Sequence, residues 1–164
     1  NWKIYLDMVG KNGISKMVLR KTLPIINARL AQLLSDVCDF DVEVAINNKN
    51  DVMFNLIKDG VVSDLSSGSG FERTCASLAL RFVLADISSI PKANFTLADE
   101  VLGRVAKDNL DNIHRLFEKV LPSYDFILHV CHLDEAKDWS KTQVLVTKVE
   151  NISHISIESN AYAK

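Results

Sequence analysis

The sequence predicts an α/β fold with a mainly parallel sheet, an N-terminal helix and antiparallel hairpins. Two apolar runs, at residues 95–98 and 126–131, have the length of buried strands, and polar residues follow each of them. A Ser/Gly-rich loop at residues 66–70 precedes both runs and opens an amphipathic helix. Polar residues that follow parallel strands meet at the carboxyl edge of the sheet, where ligands bind. This order of loop, helix and strands is much rarer than its parts, and it predicts one shared ligand site.

Length and composition predict one domain, residues 1–164. The chain is 48% hydrophobic and 24% charged, so it can bury one good core but is too short to suggest two domains. Its formal net charge of -2 provides no global basic field. Any contact with DNA is therefore expected to be local or to lie on another part of the protein.

The cysteines favour an intracellular protein. Cys38, Cys75 and Cys131 lie in apolar stretches without C-x-x-C spacing, which predicts buried, reduced thiols and neither a disulfide framework nor a zinc site. No apolar run has the length of a membrane span and no signal peptide is found, so we expect a cytoplasmic protein, or one in the host cytoplasm if it is viral. The start at Asn1 leads us to expect a piece of a longer protein.

The first third of the chain predicts a long helix and a hairpin. Apolar residues recur at steps of four and three from Leu19 to Val37, which indicates a helix with one buried stripe. Pro24 is expected to start, kink or interrupt this helix. Alternating apolar and polar residues at 40–46 and 52–56 predict a hairpin within residues 38–62.

Gly10 and Lys11 do not form a Walker A motif. That motif needs a glycine where Tyr5 stands and Ser or Thr where Asn12 stands. At the other end of the chain, residues 142–150 and 152–158 predict a second hairpin, followed by a frayed tail.

The loop and helix after residue 64 carry the first chemical motif. Residues 65–73 read L-S-S-G-S-G-F-E-R, and residues 76–81 read A-S-L-A-L-R. Small residues that open a helix expose backbone N–H groups at the positive end of the helix dipole, which suits a phosphate. A Ser/Gly cluster alone is more often a flexible loop. The helix is expected to run from about Phe71 to Ala85.

This segment resembles the ABC signature of the SbcC and SMC class of ATPases, in which a Ser-Gly-Gly-Glu/Gln-Lys/Arg core leads into a helix rich in Ala, Leu and Arg. The resemblance places Ser69, Gly70, Phe71, Glu72 and Arg73 on that core, with Phe71 in the place of the second glycine. It implies that Ser69 and the N–H groups of Gly70 and Phe71 contact the γ-phosphate of an ATP held by a different protomer. Residues 1–37 are similar to the segment where the coiled coil re-enters such a head.

Further motifs follow in the order that the same class has. Residues 95–100, F-T-L-A-D-E, resemble Walker B, which implies that Asp99 helps to hold Mg²⁺ and that Glu100 polarises the attacking water. His132 resembles the switch histidine that reports on the γ-phosphate. The D-loop corresponds to Gly103, Arg104, Val105 and Ala106. Ala106 stands where the D-loop usually has an aspartate. The alternative that this segment is an ordinary loop before a helix therefore has nearly as much support as a D-loop.

The resemblance spans nearly the whole chain and implies a three-layer ABC-type half-head, the C-terminal lobe of a split ATPase. Residues 63–158 would carry the signature, Walker B, D-loop and switch-histidine regions. Because no Walker A motif or Q-loop is found, we expect ATP and Mg²⁺ to be bound only together with an N-terminal Walker A lobe of the same protein. The chain alone is expected to be inactive. A second head, a metal-dependent nuclease and DNA are the other partners implied, and no membrane.

The function implied first is that of an SbcC-like ATPase in DNA double-strand-break repair or recombination, in which ATP between dimerised heads controls a partner nuclease. The variant signature S-G-F-E-R fits a phage-type version. An SMC-type chromosome-organising head and a non-enzymatic interaction domain with decayed motifs remain open alternatives. A transporter domain is disfavoured, because its Walker A and signature share one continuous chain.

Overall fold

The computed structural model describes residues 2–10, 13–47, 49 and 51–160. Lys11 of the rejected Gly-Lys pair and residues 161–164 of the expected tail lie outside these ranges. The helices are α1 at Trp2–Val9, α2 at Ile14–Leu34, α3 at Gly70–Ile87 and α4 at Leu110–Val120. The strands are β1 at Asp41–Ile46, β2 at Val52–Lys58, β3 at Val61–Asp64, β4 at Phe95–Asp99, β5 at Phe126–Val130, β6 at Thr142–Val149 and β7 at Ile152–Ser159.

Helix α2 is continuous through Pro24. The proline therefore neither starts nor interrupts the helix, although the sequence led us to expect one of these or a kink. Proline inside a helix removes one backbone hydrogen bond. Here the C-terminal half of the helix remains attached to the core, because Ile26, Leu30 and Leu34 are each at most 2% exposed. Burying three such side chains contributes roughly 1.5–3 kcal/mol each, which is enough to offset the proline.

Asn27 fixes α2 to the edge of the first sheet. Its amide nitrogen donates to the Val44 carbonyl at 3.0 Å, and its amide oxygen accepts from the Val44 N–H at 2.9 Å. The side chain thus takes the place that a neighbouring strand would have along β1. This pairing satisfies two backbone groups that would otherwise be left unpaired next to the core.

The first sheet has the antiparallel order β1-β2-β3 and contains one strand more than the predicted hairpin. Lys58 pairs with Val61 across a tight turn in which Asp59 and Gly60 both have positive φ. The turn reverses the chain, and β3 then leads directly into the predicted signature loop. The predicted hairpin is therefore present, and a short third strand extends it.

The second sheet consists of β4 and β5, which run parallel with Phe95 opposite Phe126 and Asp99 opposite Val130. Ala98 on its inner face belongs to the same buried cluster as residues of α2, α3 and α4. The predicted parallel strands and antiparallel hairpins are thus both present, with β6 and β7 forming the last hairpin. Both parallel strands end at one edge, which places residues 99, 100 and 131–132 together.

Among the helices of the described part of the chain, none combines the length and the hydrophobicity that a membrane span requires.

Candidate functional site

The carboxyl edge of β4 and β5 brings Glu100 and His132 into contact. The N–H of Glu100 donates to the Val130 carbonyl at 2.8 Å, which extends the strand pairing by one residue. The side chains then meet, with Glu100 Oε1 3.1 Å from His132 Nε2. Both are open to solvent, at 66% and 85% side-chain exposure. Two residues that the sequence predicted for the same site are therefore adjacent.

Glu100 adopts a conformation that is uncommon for a residue with a side chain. Its φ is +49°, in the left-handed region, immediately after the extended residue Asp99. Such a backbone costs of the order of 1 kcal/mol or more and persists only where the surrounding structure holds it. The sharp turn ends β4 and leaves both carboxylates, Asp99 and Glu100, exposed at the edge of the sheet.

The predicted signature loop ends in a capping box at the start of α3. Ser69 Oγ accepts from the Glu72 N–H at 3.3 Å, and Glu72 Oε2 accepts from the Ser69 N–H at 2.7 Å. The hydrogen bond from the Ser69 N–H is the main cause that lowers the pKa of Glu72, so this carboxylate is ionised at neutral pH. The Ser69 hydroxyl also stabilises the ionised Glu72 carboxylate, and a hydroxyl that accepts one hydrogen bond can donate another.

Phe71 belongs to the core through its side chain. The ring is 9% exposed and meets Phe40 edge to face, with 5.9 Å between the ring centroids. Only its backbone N–H therefore belongs to the exposed first turn of α3. The departure from the usual glycine adds core packing and leaves the positive end of the helix accessible.

The predicted D-loop packs against the signature helix. A Cβ placed on Gly70 would lie 2.2 Å from the carbonyl oxygen of Arg104, so only glycine permits this approach. The intervening turn is fixed by hydrogen bonds from Gly103 N to the Glu100 carbonyl at 3.3 Å and from Val105 N to the Leu102 carbonyl at 2.9 Å. A short hydrogen-bonded turn thus joins the Glu100 edge to the start of α3.

Ala106 occupies the N-cap position of a 3₁₀ turn, residues Lys107–Asn109, that leads into α4. No side chain caps this turn, because alanine has no acceptor. The aspartate usual at the end of the resembling D-loop would be a good capping residue there. The departure therefore removes a local cap and leaves the preceding contact of Arg104 with Gly70 in place.

Two side-chain groups near the site were not expected from the sequence. Lys58 forms ion pairs with Asp39 at 2.9 Å and with Glu72 of the capping box at 3.6 Å. Lys107, just after the D-loop, forms an ion pair with Glu135. These partners come from distant parts of the chain and follow no periodic pattern. Only their positions at strand and turn ends could have suggested a role.

His114 and His129 form a ring stack with Trp139. Trp139 lies between His114 and His129, with centroid distances of 4.9 and 5.7 Å and nearly parallel planes. The stack joins the segment that follows His132 to α4 and β5. Desolvation lowers the pKa of His129, so this ring is neutral near pH 7. Both histidines therefore have a structural role.

The acidic edge fits a magnesium ion that takes most of its ligands from elsewhere. Across the part of the chain that the structure describes, no three His, Cys, Asp or Glu side chains are grouped closely enough to hold a metal. Mg²⁺ in phosphate-transfer sites needs only one or two protein carboxylates, with phosphate oxygens and water completing the octahedron. Asp99, exposed at the end of β4, offers one such carboxylate.

Comparison with known proteins gives the fold. No protein-family model matches the chain. It is 26% identical over 167 residues to the uncharacterized protein R555 of Acanthamoeba polyphaga mimivirus, and the match covers 92% of this chain but only 12% of that protein. A chain from a structural study of ATP-driven dimerization and DNA-stimulated activation of SMC ATPases matches with a TM-score of 0.75 at 15% identity, covering 90% of this chain and 92% of that one. The chain has the fold of an SMC ATPase head.

Two further head domains agree with this fold. The SMC head domain from Thermotoga maritima has a TM-score of 0.62 at 22% identity, with 92% of this chain and 56% of that chain covered. The Smc head domain of Pyrococcus furiosus, with an extended coiled coil and bound to the C-terminal domain of ScpA, has a TM-score of 0.70 at 16% identity, with 88% and 37% covered. The chain thus corresponds to part of these longer heads.

Proposed function

We propose that this chain is the C-terminal lobe of a split ABC-type ATPase head of the SMC and SbcC class. The observation that carries the proposal is the Glu100–His132 pair at the carboxyl edge of the parallel strands, joined by one short turn to Gly70 of the signature helix. The SMC-head fold supports it. Phosphoryl transfer depends mainly on positioning and on charge stabilisation, and this edge supplies groups suited to both.

Asp99 and Glu100 have separate roles in this proposal. Asp99 holds Mg²⁺ together with phosphate oxygens and water, and the bound MgATP supplies the phosphoryl group. Glu100 orients a water molecule for attack, using the carboxylate oxygen that does not face His132. His132 can donate through Nε2 either to Glu100 or to a phosphate oxygen. It can thus release Glu100 toward water when nucleotide is present.

The signature loop serves a second nucleotide site in this proposal. The Ser69 hydroxyl and the N–H groups of Gly70 and Phe71 bind the γ-phosphate of ATP held by another head. The capping box fixes the first turn, and the Arg104 carbonyl supports Gly70 from behind. The same turn connects Gly70 to Glu100, so it couples the two nucleotide sites of a dimer.

An N-terminal lobe with Walker A completes the head. The outer face of β4 and β5 is apolar and exposed, with Leu97 57% and Leu128 47% accessible and Phe95 stacked on Phe126 at 5.2 Å. An open patch of this kind on a parallel sheet requires a covering layer, because parallel sheets are normally buried on both faces. The much longer mimivirus relative has ample chain to supply that layer.

The finer function is DNA tethering or DNA-end processing driven by ATP. The A-S-L-A-L-R segment after the signature favours the SbcC-like reading, with a metal-dependent nuclease as partner. The SMC-head neighbours, one of them bound to ScpA, favour the chromosome-organising reading equally. Purification of the complete protein with its native partners separates them: a phosphoesterase-type nuclease supports the first and a ScpA-like subunit the second.

The decisive experiment measures ATP turnover and dimer formation. We expect the 164-residue chain alone to hydrolyse no ATP and the protein with both lobes to do so. Glu100→Gln should trap an ATP-bound dimer with turnover reduced by at least about 100-fold, since a positioned base contributes 10²–10⁴ in rate. Glu158→Gln on β7 is a matched control and should behave as wild type. Normal turnover by Glu100→Gln would remove Glu100 from the proposed role.

A further inference from the structure

Lys58 places a positive charge next to the signature loop. It is the last residue of β2, and its Nζ lies 2.9 Å from Asp39 Oδ2 and 3.6 Å from Glu72 Oε1. The other oxygen of Glu72 accepts from the Ser69 N–H at 2.7 Å. One carboxylate therefore caps the signature loop on one side and faces an ammonium group on the other.

This arrangement bears on a charge problem at the proposed phosphate site. Glu72 is in the same first helical turn as Ser69 and Gly70, so any phosphate bound there approaches an ionised carboxylate. The carboxylate is only 14% exposed, and water screens it less than a surface charge. The helix dipole supplies about half a positive charge, which one carboxylate more than offsets. A cation that faces Glu72 therefore favours the binding of an anion at this turn.

We propose that Lys58 is a positioning residue for this site, whose ammonium group offsets part of the charge of Glu72 so that the capping carboxylate and a nucleotide γ-phosphate can lie side by side. Asp39 holds the lysine in place and is 71% exposed, so water screens its charge more than that of Glu72. Lys58 itself contacts no nucleotide. The inference rests on the proposed function and adds to it a residue from outside the signature. It also explains why the cap can be acidic at a site that binds an anion.

A purely structural role is the alternative, because Lys58 also ties β2 to α3. The two roles differ in their dependence on the charge of Glu72. Glutamine at position 72 retains the capping box, since its amide oxygen can accept from the Ser69 N–H, but it removes the negative charge. If Lys58 acts by offsetting the charge of Glu72, its removal matters only when position 72 is charged.

The test uses the complete polypeptide with both lobes and the non-hydrolysable analogue adenosine 5′-(β,γ-imido)triphosphate. Light scattering gives the analogue concentration for half-maximal dimerisation. We expect Lys58→Met to raise this concentration about three- to tenfold at 0.1 M salt and less at higher salt, as expected for one partly screened charge. Lys58→Arg should restore the wild-type value. Lys92→Met, which removes a lysine paired with Asp86 at the far end of α3, is the matched control and should have no effect.

A double-mutant cycle and a nucleotide-free measurement decide between the roles. In the Glu72→Gln background, Lys58→Met should change the half-maximal concentration by less than about twofold. Hydrogen exchange of the Ser69 amide without nucleotide should be similar with Lys58 and with Met at position 58, because the capping box remains. An equal loss in both backgrounds, or a deprotected Ser69 amide, would overturn the inference alone. A wild-type protein that does not dimerise with the analogue would overturn the proposed function and this inference together.

Discussion

At position 71 the side chain and the backbone belong to different environments. The Phe71 ring packs on Phe40 in the core, whereas its N–H lies in the first turn of α3. A glycine at this position in the resembling signature fills no core site. The chain therefore needs the ring for stability and only the backbone for the proposed anion contact.

Replacing Phe71 by glycine, the residue usual in the resembling motif, should destabilise the protein. We expect a loss of about 3–5 kcal/mol from the vacated ring site and about 1 kcal/mol more from glycine within the helix. Phe71→Leu, which keeps most of the apolar volume, should cost less than about 1.5 kcal/mol. Urea unfolding of the chain measures both. A glycine variant as stable as wild type would show that the ring does not hold the core.

His129 predicts a pH dependence of stability. Its Nε2 is buried without a hydrogen-bond partner among the described residues, and desolvation lowers its pKa. The unfolded chain takes up a proton near pH 6.5, whereas the folded chain does so only at lower pH. Acidification below about pH 6.5 therefore favours the unfolded state.

The measurement compares urea midpoints at pH 7.5 and pH 5.5. Wild type should lose more stability over this interval than His129→Leu, which cannot titrate. His154→Leu, on the exposed strand β7, serves as the control and should keep the wild-type dependence. Equal pH dependence in wild type and His129→Leu would show that another group is responsible.

Among the elements, the turn between β4 and α4 is the one that connects the Glu100 edge to the proposed phosphate contact at the start of α3. It begins at Glu100, is closed by two backbone hydrogen bonds, and places the Arg104 carbonyl against Gly70. The close approach depends on the absence of a Cβ on the first residue of α3. A change at Gly70 should therefore be felt at the Glu100 edge as well as in the signature loop.

Gly70→Ala tests this connection. Its Cβ would lie 2.2 Å from a backbone oxygen, so the turn must move, and we expect a melting temperature lower by several degrees together with weaker ATP-dependent dimerisation. Gly103→Ala in the same turn is the matched control, because its Cβ would be in ordinary contact at 3.7 Å from the Glu100 carbonyl oxygen. If the two variants behave alike, the Gly70–Arg104 contact has no special role.

At the scale of the whole molecule, the sequence predicted the features that depend on the periodicity of apolar residues and on the order of the motifs along the chain. Alternation located β1 and β2, and residues that follow strands, such as Glu100 and His132, were expected at one edge and meet there. It missed β3, in which only two valines precede polar residues. Long-range contacts such as Lys58 with Glu72 leave no local pattern, because they depend on how β2 packs beside α3.

The last prediction concerns the parallel sheet, which is covered on only one of its two faces. The inner face of β4 and β5 packs on helices, while Leu97 and Leu128 lie opposite each other on the exposed outer face. A lysine at either position faces solvent in the isolated chain and would lie buried and unpaired under a second lobe. Burying an unpaired charge costs several kcal/mol, so a single substitution can prevent association.

We expect Leu97→Lys and Leu128→Lys to leave the urea midpoint of the isolated chain nearly unchanged and to reduce its aggregation, since each removes part of an exposed apolar patch. Both should weaken binding of a separately produced Walker A lobe by at least about 100-fold in calorimetry, the equivalent of roughly 2.7 kcal/mol. Leu84→Lys on the exposed side of α3 provides the control and should bind normally. Unchanged binding of both sheet variants would mean that the Walker A lobe covers another surface, and the split-head assignment would then lose its structural basis.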